Sequence, residues 1–197
     1  MFDKYGTGKD PYTYKNTDVL INKFGIDDSA LLEKAEQEFT QLAAAEIQLQ
    51  PVPYNFAYYC ELHYLLFNQL YGWAGEIRTI DISKGNTRFC SVGYIEREAS
   101  RLFGNLEDEQ FLVSLEYTHL IAKLAEYYCE INVLHPFRDG NGRAQRLLFE
   151  HIAMNSGYNL RLSNITEQEW IHANILGYNG DYSAMESIFS KCIETVG

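Results

Sequence analysis

Between His135 and Arg146 the chain reads HPFRDGNGRAQR, which sets three guanidinium groups, one carboxylate and one imidazole around a Gly-Asn-Gly turn. Pro136 disfavours helical geometry at His135, so a helix preceding the motif ends close to that side chain. Gly140 and Gly142 permit backbone conformations and close approaches that a Cβ would block. A helix starting near Gly142 leaves its first amides unsatisfied, and those amides with the helix dipole form a positive pole. Arg143 and Arg146, three residues apart, project from the same side of its first turn. Cations there oppose the dipole, at about 0.3 to 1 kcal/mol each when exposed, so a purely structural helix start would carry Asp or Glu. The arrangement makes sense when an anion of several charges occupies the pole, and a triphosphate fits that description better than a carboxylate. Asp139 supplies the single carboxylate that commonly completes a Mg²⁺ site with phosphate oxygens and waters. His135, neutral for much of the time near pH 7, can take a proton from an incoming hydroxyl. Together these groups form a nucleotidyl- or phosphoryl-transfer site.

Taken singly, each element has an ordinary structural reading. A His at a helix end is a C-terminal capping cation, Asp139-Gly140 is a turn, and Gly-Asn-Gly is a tight connector. None of these explains cations at a helix start. A dinucleotide-binding glycine loop is excluded because the preceding segment is helical and the third Gly is missing. A Walker loop would need Gly-Lys-Ser/Thr, which is absent.

Two helices must hold the motif. Upstream, Leu115, Leu120, Ile121, Leu124, Tyr128 and Ile131 recur at helical spacing from Ser114 to about Val133. Downstream, Leu147, Leu148 and Ile152 lead to a C-cap at Asn155-Ser156-Gly157. Two further helices are expected at 166–177 and 181–196. Earlier in the chain, the first fifteen residues read as an extended arm, and Asn16-Thr17-Asp18 predicts a short helix ending at Gly25. Asp27-Asp28-Ser29 caps a longer helix with Leu31, Leu32, Ala35, Phe39, Leu42 and Ile47 on an apolar stripe. Pro-Val-Pro at 51–53 breaks the chain before a helix carrying Tyr58, Tyr59, Leu62, Leu65, Leu66 and Leu70. One β signal stands out, TIDISKGNTRFCSV at 79–92, in which Ile80 and Ile82 alternate with polar neighbours before the turn at Lys84-Gly85-Asn86-Thr87. One hairpin in a helical protein lies on the surface, with at least one edge unpaired. Residues 1–53 thus read as an N-terminal arm and accessory helices, and residues 54–197 as the main core, in one compact, mostly α domain.

A formal net charge of -11 argues against non-specific binding to nucleic acid or an anionic membrane, though not against a local pocket for a small anion. Cysteines at 60, 90, 129 and 192 lack CxxC spacing. With no signal-peptide pattern at the N-terminus they read as reduced thiols of a cytosolic protein. Five scattered histidines show no HExxH or Cys/His ligand spacing, which speaks against structural zinc. No apolar run approaches the ~20 residues of a membrane helix.

The motif resembles the signature of the Fic domain family, HxFx(D/E)GNGRxxR, with His135, Phe137, Asp139, Gly140, Asn141, Gly142, Arg143 and Arg146 each in place. The upstream YGWAGEIRTIDISKGNTRF, residues 71–89, is similar to the family's second hallmark, which ends in a flap hairpin. DPYTYKNTDVLINKFGI, residues 10–26, resembles the short stand-alone bacterial toxins of that family, which pair with a small antitoxin. The resemblance implies a helical bundle with one surface hairpin, and AMP transfer from MgATP to a Ser, Thr or Tyr hydroxyl of a target protein. His135 would be the general base and Asp139 the Mg²⁺ ligand. Asn141 and the amides of Gly140, Gly142 and Arg143 would hold the α- and β-phosphates, and Arg143 and Arg146 would neutralise the β- and γ-phosphates. The flap, Ile82, Ser83, Lys84, Gly85, Asn86, Thr87, Arg88 and Phe89, would pair with an extended target segment. For toxins of this type the implied targets include type II topoisomerase subunits, in the bacterial cytoplasm.

Members of the family are commonly held inactive by a helix bearing (S/T)xxxE(G/N), whose Glu pairs with the second motif arginine, here Arg146. Ser29…Glu33, Ser163…Glu167 and Ser190…Glu194 have the spacing but are followed by Lys34, Gln168 and Thr195. Inhibition by a separate protein is therefore expected, with Ser190…Glu194 the best internal substitute. Arg138, at a variable position of the motif, reads as solvated. Two other readings compete with AMP transfer. A kinase-like or other nucleotidyl transfer could use the same site, and a non-catalytic module could use the flap to bind peptides. The intact Gly-Asn-Gly-Arg favours AMP over the first, and His135 with Asp139 has no use in the second.

Overall fold

The computed structural model describes residues 10–85, 87–162 and 165–195. Seven helices are described among them, and their starts follow local capping chemistry. Asp28 accepts the Leu31 N–H at 2.8 Å and opens α1, Ser29–Glu46. Asn55 does the same for Tyr58 at 2.9 Å at the start of α2, Phe56–Phe67. The hairpin follows as β1, Ser83–Lys84, and β2, Thr87–Arg88, paired antiparallel with Ser83 opposite Arg88. Next come α3, Ile95–Asp108, α4, Tyr117–Leu134, and α5, Asn141–Asn155. The chain ends with β3, Tyr158–Leu160, α6, Glu167–Tyr178, α7, Ser183–Cys192, and β4, Ile193–Thr195, with β3 and β4 antiparallel.

The core forms where α2, α4 and α5 meet. Tyr59, Leu62, Leu124, Ile131, Phe137, Leu148 and Phe149 are fully buried there. Tyr128 of α4 meets the rings of Phe149, Trp170 and Phe189 at 4.9, 5.2 and 5.7 Å, each edge-on, which ties α5, α6 and α7 to one residue. Such aromatic pairs contribute about 0.5 to 1.5 kcal/mol each beyond the area they bury, so this junction stiffens the two helices that carry the motif.

Several elements differ from the sequence reading, each for a physical reason. No helix forms at 16–25. Asn22 holds that segment instead, donating to the oxygens of Leu20 and Ile26 at 3.0 and 2.7 Å and accepting from Phe24 and Ile26 at 3.2 and 3.0 Å. These local side-chain bonds replace the helical ladder. Leu31 and Leu42 are 55% and 67% exposed, so the α1 stripe that packs is narrower than expected and centres on Leu32. The last helix stops at Cys192, because Ile193–Thr195 pair with β3 as a second hairpin that carried no alternation signal. Helix α3 was not marked by a cap: Tyr94 precedes it and makes no side-chain capping bond.

Candidate active site

The motif fills the junction between α4 and α5. Its first residue leaves the helix abruptly: His135 has φ 42° and ψ 60°, a left-handed conformation uncommon for a residue with a side chain. Nδ1 of His135 lies 3.1 Å from the Asn132 oxygen. A carbonyl only accepts, so Nδ1 carries the proton and Nε2 keeps its lone pair. Phe89 of the hairpin stacks on the imidazole, with ring centres 3.7 Å apart and planes 11° from parallel. Burial pushes the His135 pKa down to about 4, against the opposing pull of the Asn132 hydrogen bond and the Asp139 charge. The ring is therefore neutral at pH 7, in the tautomer that can accept a proton through Nε2.

Five residues on, Gly140 adopts φ 78° and starts α5. No other residue fits: a Cβ there would sit 2.5 Å from two ring carbons of Phe67 and 3.0 Å from Nε2 of His63. The Gly140 oxygen accepts from both Arg143 and Ala144, at 3.1 and 3.2 Å, and the N–H groups of Asn141 and Gly142 are those that a helix start leaves without an intrahelical acceptor. The Asn141 carboxamide closes the loop on itself, accepting from Phe137 N–H at 2.9 Å and donating to Phe137 O at 2.8 Å. What Asn141 offers a ligand is thus its backbone. Asp139 accepts the Gly140 N–H at 2.6 Å and has a side chain 20% exposed.

The two arginines at the start of α5 are not equivalent. Arg143 is paired with Glu36 of α1 at 2.5 Å, lies 4.6 Å above the Phe67 ring, and is 4.0 Å from Asp139. Tyr71 donates to the other oxygen of Glu36. Arg146 is half-buried, and its charge acts on the Glu150 carboxylate one turn further along α5. Of the internal candidates for an inhibitory glutamate, Glu194 pairs with Arg161 at 3.7 Å, Glu33 lines a cleft beside α1, and Ser163 lies outside the described residues. That cleft, about 1690 Å³, runs from the N-terminal arm past Glu36 and Tyr71 to Asp139 and Arg143.

Arg138 corrects the sequence reading. It is 4% exposed and forms a two-pronged ion pair with Asp10, with Nε at 2.7 Å. A charge that reads as solvated is in fact buried, because Asp10 lies against the motif loop; residues 1–9 of the expected arm lie outside the described residues. Arg78 is another residue that motif spacing does not reveal. It is 1% exposed, donates from Nε to His135 O at 2.9 Å and from Nη1 to Ile80 O at 2.6 Å, and also reaches Cys90 O through Nη2. The Arg78 N–H adds a bond to Pro136 O at 2.9 Å. One guanidinium therefore joins both feet of the hairpin to the end of α4. In the sequence, the only hint is a charge placed two residues before Ile80.

The hairpin itself is short. Ile82 and Phe89, at 1% and 6% exposure, form a small apolar cluster at its base, and the Arg88 oxygen accepts from Tyr178 of α6 at 3.1 Å. Ser83, Lys84, Gly85, Thr87 and Arg88 make up its tip, and Asn86 lies outside the described residues.

The donor set suits a magnesium ion bound with a nucleotide. Among the described residues no three His, Cys, Asp or Glu side chains come together to hold a metal alone. The partly exposed Asp139 carboxylate beside an amide pole matches an ion that takes its other ligands from phosphate and water. No helix among the described residues is long and apolar enough to cross a membrane.

A family model described as Fic/DOC family matches residues 53–153. The chain is 45% identical to the "Probable protein adenylyltransferase Fic" of Salmonella typhimurium, over 98% of this chain and 96% of that one. Identity to the protein of the same name from Escherichia coli K12 is 43%, over 100% and 98%. BepC of Bartonella tribocorum, crystallised with bound AMPPNP, has a similar fold with a TM-score of 0.87 and 25% identity, over 94% of this chain and 97% of that one.

Proposed function

The chain belongs to the Fic/DOC family, and from that membership and the geometry of its site we propose that it transfers AMP from MgATP to a Ser, Thr or Tyr hydroxyl of another protein. The observation that carries this reading is the neutral His135, with its Nε2 lone pair beside a helix start whose amides and arginines suit a polyphosphate. In this reading Nε2 takes the proton of the target hydroxyl as its oxygen attacks the α-phosphorus. The bond to the bridging oxygen breaks, and pyrophosphate leaves with its charge held by Arg146, Arg143 and the backbone N–H groups of Asn141 and Gly142. Asp139 would hold the Mg²⁺ ion, which when bound neutralises phosphate charge. Residues 54–197 act as the catalytic core, with 1–53 as the accessory layer.

The hairpin, Ile82 to Phe89, aligns the target segment through its backbone. Its base is fixed by Arg78 and by the Phe89 stack on His135, so a bound segment would lie beside the base. We further infer that the chain acts in the bacterial cytoplasm as the toxin of a toxin–antitoxin pair. Arg146, half-buried at the start of α5, is the partner that donates to a glutamate from a small antitoxin carrying an (S/T)xxxE(G/N) helix. Type II topoisomerase subunits are the first targets to test. The deciding experiment is mass spectrometry of bacterial lysate incubated with the protein and MgATP. AMP added to hydroxyl side chains supports the reading, and phosphate or no added mass contradicts it.

A further inference from the structure

Outside the motif, one buried histidine touches the site from behind. His63 of α2 is fully buried and uses both ring nitrogens. Its Nδ1 accepts the Gly75 N–H at 2.9 Å, so Nε2 bears the proton and donates it to the Asp139 backbone oxygen at 2.9 Å. The ring plane is fixed by Phe137, stacked at 3.9 Å, and by Phe67 at 4.7 Å. His63 and Phe67, four residues apart on one helix face, form the wall that excludes a Cβ at Gly140.

We propose that His63 is the positioning residue that fixes the Asp139–Gly140 turn, and through it the carboxylate and amides facing the phosphates and the metal. The inference rests on the reading of Asp139 given above. By drawing the Asp139 oxygen toward α2, His63 orients the following peptide, whose N–H then meets the Asp139 carboxylate at 2.6 Å. The chain enters the left-handed region at Gly140 and α5 begins. A leucine would fill the same volume but leave the Asp139 oxygen and the Gly75 N–H without their partner. The Gly75 bond also links the turn to the segment that carries Arg78 and the hairpin.

Two conservative substitutions separate the two nitrogens. An Asn side-chain amide reaches the place of Nδ1, and a Gln amide the place of Nε2. His63→Asn therefore keeps the acceptor for Gly75 and loses the donor to Asp139, while His63→Gln does the reverse. Calorimetric titration of the full chain with a non-hydrolysable ATP analogue, with and without Mg²⁺, reads the consequence directly. His63→Asn is expected to weaken Mg²⁺-dependent binding about 10- to 100-fold, the range for partners of a metal ligand, with less change in metal-free binding, and His63→Gln to stay near the parent. Equal loss in both variants, parental binding in both, or greater loss in His63→Gln overturns the inference. Should His63→Asn fail to fold, as judged by thermal unfolding, His63→Gln decides: near-parental binding supports the role and a loss refutes it. A parent chain that gains nothing from Mg²⁺ overturns the Asp139 reading itself, and this inference with it.

Discussion

Arg78 Nε donates to the backbone oxygen of His135 at 2.9 Å, and the rest of the same guanidinium holds the oxygens of Ile80 and Cys90. The imidazole and the hairpin therefore share one anchor. Each of these oxygens, left buried without its donor, costs about 1 to 3 kcal/mol. Arg78→Ala should lose at least about 3 kcal/mol, which for a chain of this size lowers the melting temperature by roughly 6 to 12 °C. Arg78→Lys keeps the charge but gathers its donors on one nitrogen, which cannot span the three oxygens, and should fall between. Thermal unfolding checks this, and a change under about 2 °C would remove the anchoring role.

With His135 as the proposed base, its imidazole should set the acid limb of activity. Burial lowers its pKa to about 4, so the base form prevails well below pH 6. In the free enzyme, kcat/KM should fall with a limb near that value rather than at the ~6.5 of a solvated imidazole. The same shift affects stability. A histidine whose folded pKa is depressed stabilises the fold fully above its unfolded pKa, and that contribution is lost as pH falls from about 6.5 toward the folded value. His151, lowered by burial and bonded to Tyr58 at 2.6 Å, works in the same direction. Urea midpoints should therefore drop between about pH 7 and about pH 5, and His135→Ala should flatten part of that drop.

Asp10 and Arg138 form a pair that is almost wholly buried, with side chains 8% and 5% exposed. Removing one partner of a buried pair typically costs about 3 to 5 kcal/mol because the other charge stays behind. Asp10→Asn should show most of that loss in denaturant unfolding, and Asp10→Asn with Arg138→Met should recover part of it.

Gly140→Ala should damage both fold and activity. The φ of 78° alone costs a side-chain residue about 1 to 2 kcal/mol. The new methyl also meets Phe67 carbons at 2.5 Å, so the ring or the loop must move. Trimming the ring with Phe67→Leu in the same chain should restore part of the stability.

The motif was largely legible in the sequence, because its chemistry is carried by adjacent residues. Pro136 after a helical stretch, Gly140 before a new one and two arginines at a helix start are local statements, and α5 begins at Asn141, one residue before Gly142. The supports were not legible. His63 looks like part of an apolar helix face, Arg78 like a loop cation, and Glu36 like one acid among several on α1. Their roles come from contacts with residues 57 to 107 positions away, which no window of sequence displays. Arg138 was misread for the same reason, since its partner Asp10 is 128 positions distant. The expected helix at 16–25 lost to tertiary and side-chain bonds, with Thr13 bridging Leu20 and Asn22 capturing four backbone groups.

In the proposed reaction His135 activates a protein hydroxyl toward the α-phosphorus of ATP. Incubating the chain and a bacterial lysate with either α-labelled or γ-labelled ATP tests it most directly, with His135→Ala run in parallel. Protein-bound label is expected from α-labelled ATP alone, reduced at least about 100-fold in His135→Ala, in line with the loss of a general base. Label retained from γ-labelled ATP, or α-label undiminished without the imidazole, would contradict it.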